Sequence, residues 1–558
     1  MSAEHPKADV DVVVIGGGVN GTGVARDATL RGLRVALFER NDIAFGASGN
    51  SSGMIHGGPR YLTKNPHVTY TSCLDSGHIQ RIAPHLLFRV PFLVTAPKGP
   101  GAFARLSTYD AFFEVYDRYQ SLKSGKTHVR FDGAQMGELE PGLVPTGGGI
   151  SFDEWGIDGV RLCVASLRDA VQRGAQAHVG ASVAAVRRAP SGEGLRVSFR
   201  RRDGSLGELG TRTVVNATGA WAPIVGALAG LPAEAVRLRP GKGVHVFLDR
   251  RLSNFAIITE AVDGREVFLL PWQNMSVLGT TDDDFYGDLD DVVATTDEVR
   301  YLVQAVERVF PAVREARAIG TWAGVRPTLH AWGPSESQLS REHEIVDHAA
   351  HGAPGVFSML GGKLASYRLF AEEMTDVLAA RLGARGPCQT HVLALPGGEA
   401  HAREDDLVSE YGIAPLAARR LTYRHGTLAK AVLASCQQRP DDQRVVCDCE
   451  PVLAAEVRYA VRHEWAESVA DVARRTRLGH GPCGGLRCAV ECGRLVAEEL
   501  GESPEWGRRS SAEFASSALR RRLPATGPLQ ARQEALTAAH LAAEIGWLPA
   551  EPHARGRS

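Results

Sequence analysis

The chain opens on an apolar run, VDVVVI at Val10–Ile15, that passes without a polar spacer into the glycine cluster GGGVNG. Small and aliphatic residues then recur with Arg, Asp and Thr over residues 21–31, and a second apolar run, VALF at 35–38, ends in Glu39. The pattern predicts strand, tight turn, helix and strand. Two later segments repeat the strand that closes in small residues: VVNATGAW at 214–221 and FSMLGGKLASY at 357–367. Such wide separation predicts an α/β domain built in pieces, a bipartite Rossmann-like nucleotide domain with another domain inserted. The expected flavin-domain pieces are 8–85, 150–230 and 320–385, and the insertion takes 86–149 and 231–319. Within it, LRPGKGVHVFLD and VFLLPWQNMSVLGTTD alternate apolar and polar residues and predict an antiparallel sheet. The stretch YDAFFEVYDRY reads as a helix with its aromatic face packed inside, with a membrane-touching surface as the alternative. Beyond Gly397 the chain turns Ala-, Glu- and Arg-rich with helical periodicity. A helical linker is expected over 386–440, with PDDQ before Val445 as its end, a cysteine module over 441–500 and a partly helical extension over 501–558.

The first turn carries specific chemistry. Gly16, Gly18 and Gly21 form G-x-G-x-x-G between strand and helix, so the backbone can approach a pyrophosphate at a helix N-terminus. Glu39 stands where a carboxylate accepts ribose hydroxyls, which favours a nucleotide with a free 2′-hydroxyl over NADP. The Gly- and Ser-rich loop at 45–62, with Ser51 and Ser52, lets the backbone wrap a large flat ligand, and Gly219, Gly361 and Gly362 lie in the two later turns. That layout indicates FAD. A flavin enzyme that took hydride from an alcohol with an anionic end would need a base and fixed cations. Arg60, Tyr61, Arg326 and Lys363 are the candidates for binding, and His56, His245 and Lys363 for the base.

Composition narrows the classes. Of 558 residues, 44% are apolar and 23% charged, as in a globular protein of two or three domains, and the net charge of −1 gives no general attraction for nucleic acid. No run of about 18 apolar residues predicts a membrane span, and the N-terminal apolar run is needed as a strand, so a cytoplasmic location is expected. Cys73, Cys163, Cys388 and Cys436 are scattered, whereas Cys447, Cys449, Cys483, Cys488 and Cys492 crowd together. Cys447, Cys449, Cys483 and Cys488 form two close pairs suited to an iron–sulfur cluster or zinc. The C-x-C spacing is tighter than usual for zinc and tilts the choice toward iron–sulfur. Cys492 reads as a packed thiol.

The pieces IGGGVNGTGVARDATLRGL, SSGMIHGGPRYL, VNATGAWAP, LGTTDDDFYGD, WAGVRPT and GGKLASYRLFAEEM occur in the order and spacing of the FAD-dependent glycerol-3-phosphate dehydrogenases. The resemblance covers residues 9–374 and resumes at 456–480. It implies a D-amino-acid-oxidase-like fold, hydride transfer from glycerol 3-phosphate to FAD, and Arg60, Arg326 and Lys363 around the substrate phosphate and hydroxyls. His245 matches a family histidine near the substrate. The cysteine region resembles the bacterioferritin-associated-ferredoxin-like [2Fe-2S] domain carried by the anaerobic type. That likeness implies electron transfer toward a quinone through membrane-anchor or electron-transfer partner subunits, with the chain peripheral on the membrane's inner face. Pro59 and Gly53 depart from the family pattern. The competing readings are a flavin dehydrogenase of a 2-hydroxy acid or amino acid, and a zinc-bearing adaptor at the C-terminus.

Overall fold

The computed structural model describes residues 8–63, 65–190, 192–333 and 342–545. Two sheets and a helical C-terminal region make up these residues. The first sheet has Val10–Ile15 at its centre, parallel to Val35–Glu39 on one side (Val12 opposite Val35) and to Leu206–Asn216 on the other (Val12 opposite Thr213). Val356–Gly361 and Gln176–Val179 extend it in parallel, and His343–Asp347 closes one edge antiparallel. Val35–Phe38 and Val356–Gly361 are buried on both faces, hence their largely apolar composition. The helices Val19–Leu30, Gly159–Gln172 and Tyr367–Leu382 cover one face. The first helix begins at Val19, two residues before the expected start.

The second sheet has nine strands and is mixed rather than purely antiparallel, because Ala256–Glu260 runs parallel to Leu87–Pro97. Thr146–Ile157 and Ala318–Leu329 both belong to it, so the expected piece boundaries at 150 and 320 fall inside its strands. Length is the reason: each strand is 12 residues long and runs from the inserted sheet to the flavin side. In the aromatic stretch, helix Ala102–Asp117 buries Phe113 and Tyr116 but leaves Phe103 74% exposed.

Pro440–Gln443 is no linker: it forms a 3-10 turn whose buried Asp442 accepts a 2.9 Å hydrogen bond from Arg458 Nε. Leu407, Leu421 and Leu433 share a core with Leu453 and Tyr459, so the helices on either side of that turn pack as one body. Helix Pro504–Arg522 lies against Ala489–Leu500, where a Cβ on Gly493 would stand 2.4 Å from the carbonyl oxygen of Gly507. The C-terminal helices are tied to the flavin side by buried ion pairs. Arg475 grips Asp42 with two 2.6 Å bonds, and Arg161 donates to Glu464 at 2.7 Å.

Candidate active site

The nucleotide turn is shaped by close approaches. Gly16 sits at φ +110°, and a Cβ there would meet the Ala217 carbonyl oxygen at 2.7 Å; a Cβ on Gly21 would stand 1.9 Å from the Gly16 carbonyl oxygen. The helix beyond starts with no side-chain cap at Gly18 and no acid in its first turn, which leaves donors for a pyrophosphate. Ser48 Oγ accepts from Val19 N at 3.0 Å, and Asn20 Oδ1 is buried without a partner among the described residues. Glu39 accepts from Gly17 N and Asn41 N, each at 2.8 Å; burial nevertheless pushes its carboxyl above the usual carboxylate range. Gly219, Gly361 and Gly362, at φ +59°, +75° and +92°, turn the chain after the two neighbouring strands of the same sheet. A cradle where side chains cannot stand, an orphaned buried oxygen and a ribose-side carboxylate fit FAD. Sequence reasoning did not single out Ser48 and Asn20, because a Ser and an Asn within Gly-rich loops carry no spacing signal.

The loop that follows is stitched to the inserted sheet. Met54 bridges Gly156, Ile55 N donates to the Trp155 carbonyl at 2.9 Å, and Ile157 N to that of Gly53 at 2.6 Å. Gly53 is at φ +62°, where a Cβ would be 2.5 Å from the Ile157 carbonyl oxygen and 2.6 Å from the Trp272 ring, so this departure from the family pattern follows from the Trp packed on it. Pro59 starts the 3-10 turn Pro59–Tyr61 that carries Arg60 and Tyr61. The Arg60 side chain lies outside the described residues. Lys363 Nζ stands 4.0 Å from the Tyr61 ring centroid. His56 is half-buried just before this turn. Beneath it, Glu154 accepts from Gly57 N at 3.2 Å, Tyr116 OH at 2.5 Å and Lys123 Nζ at 2.5 Å. Sequence reasoning missed this buried anchor; an acid in the middle of a buried strand was its only trace.

His245 and Arg326 come from paired strands of the second sheet, Leu238–Leu248 and Ala318–Leu329. The Arg326 guanidinium lies over Gly243, where a Cβ would be 2.4 Å from Nη2, and His245 follows two residues on along the same face. Arg326 donates to Asp282 Oδ1 at 2.8 Å and to Thr280 Oγ1 at 3.0 Å, which fixes its fork. His245 is buried, with Nε2 3.0 Å from Ser52 Oγ and Nδ1 without a partner among the described residues. Burial, seconded by the Arg326 charge, lowers its pKa to about 3. Ser52, His245 and Arg326 thus form one string, and Tyr61 with Lys363 a second. Ser51 Oγ accepts from Gly53 N at 3.2 Å.

The clustered cysteines belong to the C-terminal region. Cys447 ends a short strand, Cys449 follows it, Cys483 sits in the glycine-rich loop after helix Val469–Thr476, and Cys488 caps helix Ala489–Leu500. Cys449 Sγ and Cys483 Sγ are 3.9 Å apart, and the neighbouring Cys488 side chain lowers the pKa of the Cys447 thiol. Among the described residues no group of three or more His, Cys, Asp or Glu side chains converges as a single metal site. Cys492 is fully buried, as expected of a packed thiol.

A nucleotide sheet with a parallel centre joined to a second mixed sheet, with a glycine cradle at one and a histidine–arginine face at the other, defines a flavin-dependent oxidoreductase. Residues 11–368 match the FAD dependent oxidoreductase family, and 388–506 match the C-terminal domain of alpha-glycerophosphate oxidase. An anaerobic glycerol-3-phosphate dehydrogenase chain of Escherichia coli (strain K12) is 34% identical over 495 residues, 87% of this chain and 88% of that one. A glycerol-3-phosphate dehydrogenase of Mycobacterium leprae (strain TN) is 34% identical over 513 residues, 89% and 86% of the two chains. The solved structure of the glycerol-3-phosphate dehydrogenase from Bacillus halodurans complexed with FAD shares the fold, with a TM-score of 0.71 at 24% identity over 94% of this chain and 97% of that one. The chain belongs to the FAD-dependent glycerol-3-phosphate dehydrogenases.

Proposed function

We propose that the protein oxidises sn-glycerol 3-phosphate to dihydroxyacetone phosphate and passes the electrons through a [2Fe-2S] cluster toward a quinone. The observation that carries the substrate reading is the fixed Arg326 fork beside neutral His245, together with the contact between Lys363 and the Tyr61 ring. FAD held in the glycine cradle would supply a hydride acceptor for the carbinol, and a cluster held by the cysteines would supply one-electron transfer. The chain's own residues do the rest. Arg326, Lys363 and Arg60 hold the phosphate, a dianion that warrants several cations. His245, kept neutral, orients the substrate hydroxyl through a ring nitrogen, and His56 accepts the hydroxyl proton. Ser51, Ser52, Gly219, Gly361 and Gly362 line the flavin; Gly16, Gly18, Gly21 and Glu39 hold its nucleotide half.

Cys447, Cys449, Cys483 and Cys488 are the proposed cluster ligands. Two thiols on one tetrahedral metal with bonds of about 2.3 Å stand about 3.8 Å apart, close to the 3.9 Å between Cys449 and Cys483. Two separate pairs suit a two-iron cluster better than one zinc ion, which gathers four ligands around a single point. Among the described residues no helix is long and apolar enough to cross a membrane. A membrane-anchor or electron-transfer partner is therefore proposed to carry electrons to the quinone, with the chain peripheral on the inner face.

Anaerobic addition of glycerol 3-phosphate to the purified protein tests the substrate. Bleaching of the flavin absorbance is expected; a flavin that stays oxidised with glycerol 3-phosphate but bleaches with a 2-hydroxy acid overturns it. Iron and sulfide analysis with EPR of the reduced protein tests the cluster, and stoichiometric zinc without an EPR signal overturns that part alone.

A further inference from the structure

Helix Pro504–Arg522 ends in three arginines, and the last is buried at the cysteine loop. The Arg522 side chain is 3% exposed. Its Nη2 lies 3.0 Å from Glu534 Oε2, while Nε and Nη1 are buried with no hydrogen-bond partner among the described residues. Nη1 reaches the turn between Cys483 and Gly485: Gly484 sits at φ +62°, and a Cβ there would be 1.7 Å from Nη1. Loop and guanidinium are thus fitted to each other, with glycine required on both counts. Glu534 does not neutralise Arg522 alone, because its other oxygen lies 3.2 Å from Arg317 Nη2. One carboxylate shared with half-exposed Arg317 leaves the buried Arg522 incompletely compensated, and its two orphaned donors add to the cost.

A negative group at the cysteine loop removes that cost. Metal-bound thiolates are such a group, since cysteine ligands bind deprotonated. A four-thiolate [2Fe-2S] cluster is anionic when oxidised and gains one further negative charge when it takes up an electron. We infer that Arg522 is a charge-compensating residue for the cluster, favouring its reduced form and so raising its reduction potential, as charge and hydrogen bonds near the sulfurs do generally. The inference rests on the cluster reading above. It places the compensating charge on the helix 504–522, which lies for most of its length beyond the 388–506 region shared with alpha-glycerophosphate oxidase.

An EPR-monitored redox titration of the full chain, with FAD and cluster in place, tests this. Arg522→Gln is expected to make the cluster about tenfold harder to reduce, ~59 mV for one electron, and Arg522→Lys to titrate closer to wild type. A Gln variant that keeps its iron and sulfide and titrates at the wild-type potential overturns the inference while the cluster reading stands. A wild-type protein without iron and sulfide overturns both. Should the Gln variant fail to load, metal content decides: retention in the Lys variant supports compensation by charge, and equal loss in both overturns it.

Discussion

Arg326 owes its orientation to a carboxylate and a hydroxyl, Asp282 and Thr280, rather than to the substrate. A fork held in advance spends no ordering entropy on binding. Arg326→Ala is therefore expected to lose about 3 kcal/mol or more of transition-state stabilisation, read from the ratio of kcat/KM values, as for a charge-assisted contact to a desolvated anion. Flavin content, read from visible absorbance, should not change. Normal kcat/KM in that variant would make Arg326 purely structural. His245 bears on pH. With its pKa lowered to about 3 by burial and by Arg326, it does not change charge between pH 5 and 8. His245→Gln should lower kcat without removing an inflection from the kcat/KM profile; an inflection lost with His245 would show that it titrates in the working range after all. At this scale the sequence shows the residue types but not their partners. Arg326 and His245 were legible because each sits in a short motif. Glu154, Ser48 and Asn20 were not, since a buried anchor is defined by neighbours far away in the chain.

Among the elements, the strand Val10–Ile15 and its glycine turn were readable almost residue by residue, because a buried parallel strand has to be apolar throughout. The inserted sheet was less so. Its long strands cross between the two halves, and apolar alternation does not say which sheet a strand joins. The turn Pro440–Gln443 misled for a related reason: Pro and two acids look like a solvated linker, yet Asp442 is buried against Arg458. Gly21→Ala offers a test at the scale of the turn. Alanine is the better helix former by about 1 kcal/mol, but its Cβ would stand 1.9 Å from the Gly16 carbonyl oxygen. The variant is expected to fold with an unchanged far-UV circular dichroism spectrum and to purify without flavin. A full flavin complement would show that the turn can widen at no cost.

For the whole molecule, the junction between the flavin side and the C-terminal helices is ionic and buried. Arg161, Arg168 and His425 surround Glu464, and Arg424 and His425 surround Glu456. Burial alone would raise the Glu464 pKa, but Arg161, His425 and Arg168 outweigh it and lower it to about 2. Its ordinary value is about 4.3. The contribution of Glu464 to stability is thus complete above pH ~4.3 and is lost as the pH falls from there toward 2. Glu464→Gln should destabilise the protein by about 3 kcal/mol, because it leaves Arg161 buried without its countercharge. Thermal unfolding should also become less steeply pH-dependent in that acid window, and an unchanged acid limb would assign it to other carboxylates.

The grip of Arg474 and Arg475 on Asp42 has a thermodynamic corollary. Asp42 lies three residues beyond Glu39, whose carboxylate accepts from Gly17 N of the glycine turn, so one short segment serves two clients. If occupying the cradle steadies that segment, the C-terminal helices dock more firmly, and by reciprocity their docking tightens nucleotide affinity by the same factor. Stripping FAD should accordingly speed proteolysis around helix Val469–Thr476 as well as around the cradle, and Asp42→Asn should loosen flavin binding; cleavage rates indifferent to FAD would mean that the two halves are merely adjacent.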